Sequence, residues 1–163
     1  MQEFTFSKLD DGACCVMSYT GDEAEVTIPA EYERRPVTVL YDGLFKGHTE
    51  LACVHIPDSV TALGGFLFDG CDALRSVRLP AQLTDLWQYA FARCGVEELT
   101  LPDGVRALLP FTFKDCRRLR RFVCNPSLKK IYAWAFDGCE ALTDFVSGPD
   151  TELSPQAFET KKP

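Results

Sequence analysis

The chain has 163 residues, 46% of them hydrophobic and 12% aromatic, which is enough apolar material for one folded domain and excludes disorder by composition. Its formal charge of −7 argues against nucleic acid or anionic lipid as a partner, because both need a cationic face. No apolar run approaches the roughly 20 residues of a membrane helix, so membrane insertion is not expected.

In chain order, the opening "QEFTFSKLDDG" lacks the basic start, apolar centre and small-residue cleavage site of a secretory signal, and the chain as read is cytoplasmic. Residues 1–25 read as a capping hairpin with a strand on either side of "DDG"; Phe4, Phe6 and Tyr19 are available to cover the first coil of an internal repeat carried by residues 26–163. Phe45, Phe68, Phe91, Phe113, Phe136 and Phe158 are spaced 23, 23, 22, 23 and 22 residues apart. Three residues after the Phe stand His48, Cys71, Cys94, Cys116 and Cys139, followed by Leu51, Leu74, Val96, Leu119 and Leu142. The first 22 reflects one residue lost after Cys94.

Between these corners lie strand-like phrases, "LACVHIP", "LRSVRLP", "VEELTLP", "LRRFVCN" and "LTDFVSG", whose apolar residues alternate towards their ends. Pro57, Pro80 and Pro102 close the first three, since a fixed φ and a missing N–H end a strand and start a turn. A second apolar pair, such as Val60 and Leu63, precedes each Phe. Each unit is therefore one coil: strand, turn, short extended segment, and an F-x-x-C corner. A unit of about 23 residues cannot bury its own apolar face, so the coils must stack. The expected fold is a repeat solenoid, mostly β with short turns or 3-10 corners, of about five to six coils.

These phrases resemble the BspA-like, or Treponema-pallidum-type, leucine-rich repeats, whose unit reads roughly L-x-x-I-x-L-P-x-x-L-x-x-I-G-x-x-A-F-x-x-C; the resemblance spans about Val26 to Phe158. "VTIPAEYERRPVTVLYDGLF" is similar to the longer first coil of such proteins, with about five extra residues between Pro29 and Val37. "SGPDTELSPQAFETKKP" is a fading repeat whose polar residues would blunt an open edge. The resemblance implies bacterial cell-surface or secreted binding proteins, adhesins among them, without catalytic activity.

Eight cysteines follow the repeat rather than a pairing scheme, which points to free, buried thiols acting as small hydrophobes. Stacked one per coil, His48, Cys71, Cys94, Cys116 and Cys139 form a line, not the converging tetrahedron of structural zinc, so no metal is expected. Cys14 and Cys15 point to opposite faces of a strand and do not bridge. With only His48 and His55 as imidazole bases and no glycine-rich phosphate loop, nothing supports catalysis or a cofactor.

Two surfaces are candidates for binding. On the outward, concave side of the strand sheet, His55, Arg75, Arg78, Glu97, Glu98, Arg120 and Arg121 fall into columns; Arg75 faces Glu97, Glu97 faces Arg120, and Glu98 faces Arg121. That lattice is either a self-neutralised solvated face or a recognition surface for an acidic peptide or glycan. The other is an aromatic stripe: Phe66, Tyr89, Phe111 and Trp134 stand two before the repeat Phe, and Tyr41, Trp87 and Tyr132 four before. Either the rings stack to shield backbone, or they form a patch for a partner or a second copy of the chain. The reading is a non-enzymatic module binding a protein or peptide, with a homodimer or a carbohydrate-binding surface as alternatives.

Overall fold

The computed structural model describes residues 2–159. It is built of strands and turns, without a helix among the described residues: β1 (Glu3–Lys8), β2 (Cys14–Thr20), β3 (Glu25–Thr27), β4 (Glu31–Tyr32), β5 (Arg35–Leu40), β6 (Cys53–His55), β7 (Ala62–Leu63), β8 (Asp85–Leu86), β9 (Glu98–Thr100), β10 (Ala107–Leu108), β11 (Arg121–Val123), β12 (Lys130–Ile131), β13 (Asp144–Val146) and β14 (Glu152–Leu153). Six coils, each ending on one of the repeat phenylalanines, stack into a solenoid with three walls.

The strand wall holds parallel β3–β6 and β9–β11–β13, and the second wall holds β5–β7–β8 and β10–β12–β14. The third wall is the F-x-x-C corner, an unbroken ladder in which the amide of each Phe donates to the next coil: Phe45 to Leu67, Phe68 to Ala90, Phe91 to Thr112, Phe113 to Ala135 and Phe136 to Ala157, at 2.7–3.0 Å. Inside, the six rings line up along one axis, with neighbouring centroids 5.2–5.8 Å apart. The first five are fully buried, while Phe158 at the last coil is 42% exposed.

At the N-terminus β1 and β2 form the expected hairpin, with a bulge between Thr5 and Phe6. Its role is wider than a lid. β2 also pairs parallel with β5, so the hairpin extends the second wall, and Tyr19 starts the ring stack 5.2 Å from Phe45. The extra residues of the first coil make a second hairpin, β4 antiparallel to β5, turning at Glu33 and Arg34 with φ of 49° and 64°. Both residues are left-handed, as a two-residue I′ turn demands.

The structure corrects one strand. "LRSVRLP" has no ladder partners: among the described residues, no backbone hydrogen bond reaches Ser76, Val77, Arg78 or Leu79. The second wall breaks at the same level, between β8 and β10. The strand wall is therefore open on both sides of the third coil, towards the second and towards the fourth, whereas the second wall opens only between the third and fourth, where the repeat is one residue short. There the corner closes tightly: Gly95 lies so near the Asp72 carbonyl that a Cβ would clash, and the Glu97 amide donates to the Arg75 carbonyl at 2.9 Å. Beyond Arg75 and Glu97 the two coils share no further strand-wall bond. The fading C-terminal repeat still pairs, β13 with β11 and β14 with β12. Its last residues, 160–163, lie outside the described part.

Candidate binding site

On the strand wall the predicted columns are interrupted at the third coil, whose residues 76–79 join no ladder, and the charges pair among themselves. Glu97 lies 3.8 Å from Arg75 and 3.7 Å from Arg120, as expected. The expected Glu98–Arg121 pair is replaced. Although the two residues are register partners, Arg120 takes Glu98 at 3.1 Å and Arg121 takes Asp144 at 3.1 Å, since long side chains reach diagonal neighbours as easily as opposite ones. Arg78 leans towards Asp58 at 3.9 Å, and His55 Nε2 donates to Glu25 Oε1 at 2.9 Å. These pairs are at least about one-third exposed, so each contributes at most about 1 kcal/mol, and their main effect is to cancel the local field. The strand wall also holds a cavity of about 650 Å³ between Ser76–Ala81 and Glu98–Asp103, directly over the broken ladder.

The aromatic stripe sits where the second wall turns into the corner. Phe66, Tyr89, Phe111 and Trp134 form a ladder of nearly parallel rings, 4.7, 5.3 and 5.7 Å apart with interplanar angles of 4°, 13° and 9°. All four have left-handed backbones, φ 58–65°, in the slot that Gly43 fills in the first coil with φ 69°. That conformation costs an L-residue roughly 1–2 kcal/mol, about 4–8 kcal/mol for four. Three stacked pairs return about 1.5–4.5 kcal/mol beyond burial. Over most of these ranges stacking offsets only part of the cost of placing aromatic residues where glycine fits without strain.

Beside this ladder Tyr41, Trp87 and Tyr132 are exposed, Trp87 most of all at 53%. Trp87 also borders a cavity of about 490 Å³ with Thr84, Asp85, Leu86, Gly104, Arg106, Ala107 and Leu109, in the gap between β8 and β10. Sequence columns missed the cations of this face. Lys46 lies 5.0 Å over Phe66, Lys114 5.5 Å over Phe111, and Lys130 4.7 Å over Tyr132. The available signal was register: Lys46 and Lys114 each follow a repeat Phe directly.

The corner cysteines are structural. The Cys71, Cys116 and Cys139 thiols donate to the carbonyls of Phe45, Phe91 and Phe113 at 3.2, 2.8 and 3.0 Å, each tying a coil to the one before. Burial pushes the Cys94 thiol up to about 12 and raises Cys71 and Cys116 as well, so these sulfurs stay protonated and unreactive. His48, in the same column, packs its ring 5.2 Å from Tyr19 and belongs to the cap contact.

The BspA-type leucine-rich repeat pattern matches residues 38–162 in six copies. The chain belongs to the BspA-type leucine-rich-repeat family. Similar solved structures include a leucine-rich repeat protein of Treponema pallidum, 21% identical with a TM-score of 0.73, covering 86% of this chain and 78% of that one. A leucine-rich cell surface protein of Faecalibacterium prausnitzii is 22% identical at TM-score 0.67, covering 88% and 53%; a leucine-rich repeat protein of Eubacterium ventriosum is 25% identical at 0.72, covering 97% and 51%. The chain thus spans about half the length of the last two. None of the curated proteins matches it. Leucine-rich repeat proteins are, as a class, protein-binding or scaffold modules and generally not enzymes. No helix among the described residues is long and apolar enough to cross a membrane.

Proposed function

We propose that the chain is a protein-binding module that grips an extended peptide segment along its aromatic stripe, with Trp87 as the central anchor. The observation that carries this is a coincidence of three features in one place. The most exposed aromatic side chain stands at the rim of a 490 Å³ cavity, the wall ladder is open beneath it, and strained aromatic residues continue on either side. Large aromatic anchors beside a pocket are the usual centre of protein interfaces. Unpaired strand edges offer main-chain hydrogen bonds to an added segment. Lys46 on the same face favours an apolar segment with an acidic flank, while Lys114 and Lys130 are already paired with Asp137 and Glu152. The strand wall is the weaker candidate because its charges already neutralise one another.

The test is a selection of unstructured peptides on the wild-type chain, followed by titration of the variants. Trp87→Ala is expected to weaken selected peptides at least about tenfold, and Arg120→Glu/Arg121→Glu to leave them unchanged. Peptides that ignore Trp87→Ala but fail on the arginine variant would move the site to the strand wall. A chain that is dimeric as wild type and monomeric as Trp87→Ala would make a second copy the occupant.

A further inference from the structure

Cys53 and His55 are two residues apart on β6, which puts both side chains on the outer face of the strand wall. The parallel register of β3 on β6 sets Glu25 opposite Cys53 and Thr27 opposite His55. The result is a triad of three different donors, one thiol, one imidazole and one carboxylate, whose ligand atoms all lie within 4.8 Å of one another. His55 Nε2 is its centre: it lies 2.9 Å from Glu25 Oε1 and 3.6 Å from Cys53 Sγ. A proton on Nε2 serves one of these neighbours at a time. A cation in its place would serve all three.

We propose that Glu25, Cys53 and His55 form a binding site for a divalent cation of the zinc class, with the fourth position open to water. Tetrahedral zinc, with Zn–S near 2.3 Å and Zn–N near 2.0–2.1 Å, separates a sulfur and a nitrogen ligand by about 3.6 Å, the separation found here. The nitrogen and oxygen ligands need about 3.3 Å, so the Glu25 carboxylate moves outward by about 0.4 Å, which an exposed three-bond side chain does freely. The donor set is right for this ion: thiolate and imidazole select zinc over magnesium or calcium, and one carboxylate brings the ligands' formal charge to −2. Neighbouring charge does not oppose it. Arg78, the next residue in the His55 column, is turned to Asp58, and Gln2 contributes only its amide, to the Glu25 carbonyl. Two coils hold the ligands at fixed height through the strand pairing, so the site is built by the stack rather than by a flexible loop. The corner column considered from the sequence alone lacks this convergence, because its thiols point singly at carbonyls.

The test uses the full chain, reduced and stripped of metal. Titration with Zn²⁺ is expected to give one equivalent bound, and Cd²⁺ an ultraviolet thiolate-to-metal band. Cys53→Ser should abolish that band, and Cys53→Ser, His55→Ala or Glu25→Gln should each weaken Zn²⁺ at least about tenfold. Cys124→Ser, at a thiol outside the triad, should change neither. A wild-type chain without stoichiometric binding would overturn the proposal, as would a Cys53→Ser chain that keeps the band and the affinity. The triad side chains are exposed or half-exposed, so these variants should fold as the wild type does, which circular dichroism checks independently.

Discussion

Phe91 sits between Phe68 and Phe113 with no exposed surface, so its replacement by alanine removes a whole ring from the axis of the stack. Phe91→Ala is expected to lower the unfolding free energy by about 3–5 kcal/mol in denaturant titration, and Phe158→Ala, at the exposed end, by less than half of that. The buried thiols give a pH signature. Folding raises Cys15 to about 11 and Cys94 to about 12, both from 9.0. The unfolded chain therefore loses these protons first, and stability is complete below pH 9 and falls as pH rises towards the folded values. The slope is at most about 1.4 kcal/mol per pH unit for each thiol. Denaturant midpoints between pH 8 and 10 should decline accordingly, and a Cys94→Ala background should lessen the slope. The column of phenylalanines was legible because spacing alone reports a stacked slot. The backbone of Phe66, Tyr89, Phe111 and Trp134 was not, because φ leaves no trace in residue type when aromatic side chains occupy a position that glycine fits.

Among the elements, the hairpin of the first coil shows where local reading stops. "YERRP" carries none of the Asn-Gly or Asp-Gly chemistry that marks a two-residue turn, yet Glu33 and Arg34 take its left-handed conformations. Glu33→Asn/Arg34→Gly is expected to stabilise the chain. Relief of roughly 1–2 kcal/mol per residue outweighs the loss of the Lys8–Glu33 ion pair, which is exposed and screened by water. A rise in thermal midpoint of several degrees is the expected reading, and a fall would mean that the ion pair decides the turn. The missing strand at Ser76–Arg78 escaped the sequence for another reason. Its residues alternate as a strand should, yet they pair neither with the second coil, at the full spacing of 23 residues, nor with the fourth, at 22, and nothing in residue order marks that. The two partners of Glu97 were legible from residue order, whereas those of Glu98 and Arg121 were settled by the reach of arginine, which residue order does not reveal.

For the molecule as a whole, the corner wall is continuous from the first coil to the sixth while both sheets part between the third and fourth. The third and fourth coils are therefore joined mainly along the corner wall, with Trp87 and cavities of about 650 and 490 Å³ at the joint. Free wall edges at this joint are what the binding proposal needs, since a continuous ladder would leave an added segment nothing to pair with. Amide hydrogen exchange in the free chain tests this most directly, because repeated positions serve as their own controls. The amides of Ile28 and Leu101 on one wall and of Trp87 and Tyr132 on the other are bonded to the adjacent coil at 2.9–3.2 Å, whereas their counterparts Leu79 and Leu109 are not. Leu79 and Leu109 should exchange at least about tenfold faster than these four. Equal protection at all six would mean that the walls run unbroken, and that the joint on which the binding site depends does not exist.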